Sequence, residues 1–274
     1  MSGETPKKKK KPKVFKRIPV LHEGLIAFFI FEVFYVAHQL SFDQAGLKFY
    51  LGCLVGVAIA INIVKFTAGA IAPCIATKAA RTKKINMRKF ADQCWQLAIH
   101  VSMTVSIMYI FTDLGLTNPE AWYWVDIERV WAAEPLYDLE MPPIKIFYLV
   151  QLAIWVYTCF SHIFLEASHK DYYEMLGHHV ATIFLVFVSY NSGFLLSGAT
   201  ILLIHDCSDI PIDLLKTANY LMYDMETISI PITEVIFVTN LITWAICRLY
   251  ILPRYIIYQT FTDPNHQEGM YLKP

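Results

Sequence analysis

Residues 177–209 read GHHVATIFLVFVSYNSGFLLSGATILLIHDCSD. Two apolar runs, each near the length of a short membrane span, flank the polar YNSG turn at 190–193. A His-His pair opens the first run, and His205, Asp206 and Asp209 stand at the end of the second. Helices joined by so short a turn run antiparallel, so the start of one and the end of the other reach the same depth. The stretch therefore predicts a tight helical hairpin with its ionisable side chains gathered at one end. An Asp at the centre of a membrane helix costs roughly 2.5–3.5 kcal/mol, so such a cluster needs partners.

The pattern continues outward. A membrane span takes about 20 apolar residues, and further runs of that kind fall at 24–40, 48–72, 91–113, 144–166 and 230–252. With 177–192 and 194–212 the chain of 274 residues, 56% hydrophobic and 17% charged, reads as an all-α, polytopic integral membrane bundle of about seven transmembrane helices. Its organisation is a basic tail at 1–20, two N-terminal spans within 21–76, a helical domain at 77–258 that holds the ionisable cluster, and a short tail at 259–274.

Charge sets the expected orientation. The tail before the first span carries KKKKKPKVFKR at 7–17, and no small-residue cleavage site follows, which favours an uncleaved signal anchor. The segment TKAARTKKINMRK at 77–89 holds six basic residues and no acid. Both belong on the cytosolic side, while the acidic segment 114–143, with its aromatic AWYWVDIERVW, belongs on the other and lies along the membrane surface. The segment 167–176 then returns to the cytosol, which puts His178, His179, His205, Asp206 and Asp209 near the cytosolic face. Arg248 and Arg254 run against this count. The six cysteines form no CxxC pair and read as small buried hydrophobes.

Several chemistries compete for the cluster. Adjacent helical residues diverge by about 100°, so His178 and His179 cannot both enter one narrow pocket. His178 shares a face with Thr182, His205 with Asp209, and Asp209, Asp213 and Lys216 continue a polar stripe. An Asp accepting from an imidazole Nδ1–H fixes the tautomer and frees Nε2 as a base or nucleophile, and Asp206 and Asp209 are the candidates for that task. The bland alternative is an interhelical polar clamp. A metal site is a third reading, with His162, Glu166 and His169 on one helical face, but the histidine groupings of membrane di-iron enzymes are missing. No P-loop, GxGxxG or GxSxG occurs, and nothing points to nucleic acid.

The stretch 169–220 also resembles the TRAM–Lag–CLN (TLC) domain family, specifically its ceramide synthases. It carries in order a Lys-Asp pair, the His-His pair, Ser-Tyr, His-Asp, a second Asp, an acidic residue, Lys and Asn-Tyr. KFADQCW at 89–95 and CRLYILP at 247–253 extend the resemblance. It implies a TLC-type barrel around a lipid cavity in the endoplasmic reticulum membrane, and transfer of a fatty acyl group from acyl-CoA, a co-substrate with no tightly bound cofactor, to the amine of a sphingoid base. His178, His179, His205, Asp206 and Asp209 match the catalytic set. Thr182, Ser189, Tyr190, Asp213 and Lys216 are the matching substrate-binding candidates. Asp213 stands where the family usually has Glu, and Leu196 where Arg is common. The family pattern continues with one more helix, so three expectations stand open: a homo- or hetero-oligomer completes the bundle, the extra N-terminal span compensates, or the chain is a reduced variant. The alternative implied by the family is a non-catalytic lipid-binding, transport or translocon-associated protein; a third is acyl transfer to another amine or an alcohol.

Overall fold

The computed structural model describes residues 19–42, 44–82, 84–117, 142–165 and 172–258, with positions 130 and 261. The basic tail through 18, nearly all of the aromatic segment, Glu166, His169, the Lys170–Asp171 pair and all of the C-terminal tail but 261 lie outside the described residues. Every regular element described is helical: α1 Pro19–Leu40, α2 Gln44–Ile75, α3 Lys78–Arg81, α4 Lys84–Thr117, α5 Pro142–Phe164, α6 Tyr172–Asn191, α7 Leu195–Leu221, α8 Met225–Ile228 and α9 Ile232–Trp244, which runs on as a π-helix over Ala245–Ile257.

Among the described residues, six helices are long and apolar enough to cross a membrane: α1, α2, α4, α5, α7 and α9 with its π-helical continuation. The expected seventh rests on α6. That helix has 20 residues, and Glu174, His178 and His179 in its first half dilute its apolar run. Large apolar side chains face outward on the peripheral helices, among them Phe34, Phe66, Tyr109 and Leu249. In water such a surface would drive aggregation; against lipid tails it is satisfied.

Local chemistry accounts for the helix limits. Two prolines open α5, where the missing N–H costs nothing. α7 reaches nine residues beyond the expected end at 212. Asp213 and Lys216 end the apolar run there, but Asp213 meets Gln93 and His100 within the bundle and Lys216 lines an internal cavity, so the helix continues until Met222 turns left-handed at φ 59°. Tyr223 N–H then donates to the Ala218 carbonyl at 3.0 Å and Met222 N–H to that of Asn219 at 3.1 Å, the double closure of a Schellman end.

α5 is the central helix, with Tyr148, Gln151, Cys159 and His162 all buried. α6 packs chiefly on α5, whereas α7 packs on α4 and on α9 with its continuation. The hairpin is thus tight only at its turn. There Gly193 adopts φ 75°, and the Tyr148 hydroxyl bonds Ser189 Oγ at 2.9 Å and the Leu195 carbonyl at 3.0 Å. Beyond the turn the two helices take different neighbours, which corrects the expectation of a closely packed pair. Leu196 is fully buried in this core, so packing occupies the place where the family resemblance suggests Arg.

The far end of α7 is tied to the N-terminal helices. Thr77 Oγ1 donates to the Leu221 carbonyl at 3.1 Å, and the Tyr223 hydroxyl donates to the Ile75 carbonyl. Arg81 Nε caps the end of α2 through the Ala76 carbonyl at 2.9 Å. The start of the basic segment, from Thr77 to Arg81, is thereby fixed beside the last turns of α7 and α2.

One glycine is required at the hairpin. A Cβ at Gly198 would run into the Tyr148 hydroxyl and the Ser189 side chain. Overpacking of this kind costs about 1–3 kcal/mol. Gly198→Ala is expected to lower the thermal unfolding midpoint in detergent, and an unchanged midpoint would show that the turn relaxes freely.

Candidate functional site

Where α6 and α7 part, a cavity of about 370 Å³ opens, walled by α4, α5, α6, α7 and the π-helix. Two helices contribute polar stripes with identical spacing. Lys89, Gln93, Gln96 and His100 sit at i, i+4, i+7 and i+11 on α4; Asp209, Asp213, Lys216 and Tyr220 repeat that spacing on α7. This is one helical face in each case, and the two faces line the same space. Trp155 and His162 of α5 and His178 and His179 of α6 line it from the other side, and Arg248 from the π-helix.

The adjacent histidines have different surroundings, as their angular separation demands. His179 is 3% exposed, with the rings of Trp155 and His162 at 5.7 and 5.5 Å. His178 is exposed, its ring edge-on to Trp155 at 5.7 Å. Asp209, Arg248, His205 and His100 lie within its electrostatic reach. The α6 wall therefore offers one accessible imidazole supported by one packed imidazole.

The carboxylates are each held, and by partners that the sequence did not indicate. Asp213 is buried and accepts from Gln93 Nε2 at 2.6 Å on one oxygen, while His100 Nδ1 meets the other at 2.6 Å. Asp209 pairs with Arg248 Nη2 at 2.6 Å, and Arg248 Nε also donates to Ser208 Oγ at 2.9 Å. Asp206 is buried and accepts from Gln151 Nε2 at 3.0 Å. His205 Nδ1 donates to the Ile201 carbonyl one turn back, at 2.8 Å, and its side chain does not line the cavity.

The expected pairing of Asp206 and Asp209 with imidazoles is therefore corrected. Asp206 is rotated about 100° from His205 toward α5, and Asp209 points at the π-helix. The histidine held by a carboxylate is His100, and its carboxylate is Asp213. The expected dissent of Arg248 from the charge rule also dissolves. Its charge is neutralised inside the bundle by Asp209, so it does not report on which side the chain turns.

Of the other candidates, Asp213 and Lys216 line the cavity. Thr182 Oγ1 donates to the His178 carbonyl at 2.8 Å. Ser189 donates to the Phe194 carbonyl, and Tyr190 packs against Tyr148 with ring centroids 6.2 Å apart. Both are at the hairpin turn, and Ser189 is eleven residues, or about 16 Å along the helix, from His178. His162 Nε2 is bonded to the Tyr172 carbonyl at 3.1 Å. Among the described residues no three His, Cys, Asp or Glu side chains are grouped to hold a metal ion.

His100 stood in no quoted motif, and Gln93 in KFADQCW and Arg248 in CRLYILP were not read as site residues. For the first two a signal existed. A helix as apolar as α4 had no packing reason to carry polar groups at 89, 93, 96 and 100 on one face, and a stripe of that length facing an Asp-Asp-Lys stripe marks an interior polar seam.

Chemically, the cavity offers an accessible imidazole, a second imidazole fixed by a carboxylate, and basic residues, Lys89 and Lys216, near the end of the bundle where α4 begins and α7 finishes. Such a set suits proton transfer and nucleophilic chemistry on a polar head group.

The family model of the TLC domain matches residues 89–272. Ceramide synthase LOH1 of Arabidopsis thaliana is 22% identical over 175 residues, 64% of this chain and 53% of its own length. ASC1-like protein 1 of Oryza sativa subsp. japonica is 28% identical over 180 residues, 65% and 54% respectively. Ceramide synthase 4 of Homo sapiens is 24% identical over 184 residues, 67% and 43%. The chain spans about half the length of these curated relatives.

Proposed function

The chain belongs to the TLC domain family, and on that premise we propose that it transfers a fatty acyl group from acyl-CoA to the amine of a sphingoid base. The observation that carries this reading is the cavity itself: an accessible His178 backed by His179 on one wall, across from the Asp209, Asp213 and Lys216 stripe on the other. Relatives named ceramide synthase lend it chemical context.

The two substrates match such a cavity. Acyl-CoA has a large water-soluble head and an apolar chain, so the reacting thioester belongs at the boundary between water and the membrane interior. Lys89 and Lys216 near the mouth complement the phosphates of the head group, and the apolar helix faces deeper in the bundle suit the chain. The N-terminus and the mouth of the cavity then face the cytosol, where acyl-CoA is found, in an endoplasmic reticulum membrane.

His178 is the reacting imidazole in this scheme. Its Nε2 either attacks the thioester carbon, giving an acyl-imidazole that the amine opens, or takes the amine proton while the amine attacks directly. His179 holds His178 and Trp155 in place. Asp209, bound by Arg248, contributes a fixed charge to that wall.

The test uses purified protein in nanodiscs with sphinganine and palmitoyl-CoA. N-acyl product that requires the protein supports the reading; no product with any long-chain base or acyl-CoA counts against it. A second arm omits the amine. An adduct of one acyl mass on the intact protein, lost on His178→Ala, supports the covalent route, whereas product formation without any adduct leaves the direct one.

A further inference from the structure

The reaction needs two proton-handling positions if His178 carries the acyl group, and the α4–α7 wall holds a second imidazole that the family resemblance does not assign. We propose that the Gln93–Asp213–His100 group is the amine side of the site, with His100 Nε2 as the base that receives the proton of the attacking primary amine. This rests on the acyltransferase reading above.

The geometry is that of an oriented base. Asp213 has both oxygens engaged, one by Gln93 Nε2 at 2.6 Å and the other by His100 Nδ1 at 2.6 Å. The amide of Gln93 donates, so it anchors the carboxylate and leaves it an acceptor toward the ring. A carboxylate accepting at Nδ1 fixes the proton there and leaves Nε2 as the basic nitrogen. His100 lines the cavity, as do Asp213 and Gln93. All three are buried, so the pair is not an incidental surface contact. A bonded pair of this kind on two helices also makes the assignment of roles concrete. His178 stands on α6 and His100 on α4, both lining the one cavity, and the acyl carbon belongs between them in this scheme.

Asp213, 2.6 Å from His100 Nδ1, would form an ion pair with the imidazolium as soon as the proton arrives. In the transfer step the amine lone pair forms the C–N bond to the acyl carbon. The bond from that carbon to the CoA sulfur, or to the His178 nitrogen in the covalent route, breaks with its electron pair on the leaving atom. The amine proton passes to His100 Nε2 and from there to the leaving thiolate or imidazole, so His100 ends neutral.

The test exploits the two ring nitrogens. His100→Asn retains a donor to Asp213 near the Nδ1 position but has nothing in place of Nε2; His100→Gly opens space for imidazole added to the buffer. In protein that makes N-acyl product, His100→Asn is expected to keep its thermal midpoint and its KM for acyl-CoA while kcat falls by about a hundredfold or more, the usual range for a lost general base. Added imidazole is expected to restore turnover in His100→Gly, which a purely structural role would not allow. His100→Asn turning over at more than half the wild-type rate would overturn the proposal, as would two inactive variants that imidazole does not lift. A wild-type protein that makes no product overturns the acyltransferase reading and this assignment with it, whereas an active wild type with an indifferent His100 removes the assignment alone.

Discussion

His178→Ala is expected to lower N-acyl product formation by roughly a hundredfold to ten-thousandfold, the span over which a positioned acid, base or nucleophile contributes. The thermal midpoint should hardly move, because the His178 ring is exposed to the cavity and touches Trp155 only edge-on. His179→Ala should behave differently. That ring is 3% exposed and packed against two aromatic neighbours, so its removal leaves a void in the α5–α6 interface as well as loosening His178. Activity and midpoint should fall together. The comparison separates a reacting imidazole from a supporting one. Equal activity in His178→Ala and wild type would remove His178 from the chemistry, whatever His179 does.

Arg248→Met is expected to give the largest loss of stability among single changes at the site. Arg248 is the partner that holds Asp209 in the bundle, at 2.6 Å, and their side chains are 22% and 26% exposed. Removing one member of a buried pair strands the other charge and costs about 3–5 kcal/mol; partial exposure to the cavity brings this to about 2–3 kcal/mol. The lost bond to Ser208 Oγ adds to it. The double variant Asp209→Leu, Arg248→Met leaves no stranded charge and should recover most of the thermal midpoint, while remaining inactive if Asp209 serves the reaction. If Arg248→Met alone left the midpoint unchanged, the pair would be a surface contact and not a fixture of the cavity wall.

The hairpin turn, the meeting of His178 and His179 with Asp209, and the multi-span class were legible because each rests on a local pattern, whereas His205 and Asp206, expected in the same cluster, do not line the cavity. Apolar runs of membrane length, a Gly-containing turn and a polar stripe at helical spacing can all be read without knowing what packs on what. The partners of the carboxylates were not legible. Asp206, Asp209 and Asp213 look alike along the chain, but they lie at different angles on α7 and so meet α5, the π-helix and α4 in turn. Which imidazole a carboxylate orients is a property of helix neighbours, and His100 lies 113 residues from Asp213. Arg248 was counted against the expected orientation because counting lysines and arginines assumes that each one faces water. The end of α7 was placed too early for the same reason, since charges that face an internal cavity do not end a span.

The shared cavity is the claim on which the rest depends, and the most direct measurement is an experimental structure of the protein in nanodiscs with a non-hydrolysable thioether analogue of acyl-CoA. The account predicts the analogue's head near Lys89 and Lys216, its chain between the helices, and the carbon that replaces the thioester carbonyl about 3–3.5 Å from His178 Nε2, with His100 facing it from α4. An analogue bound on the outer face of α9, or one whose reacting carbon is closer to neither histidine than to lipid, would contradict it.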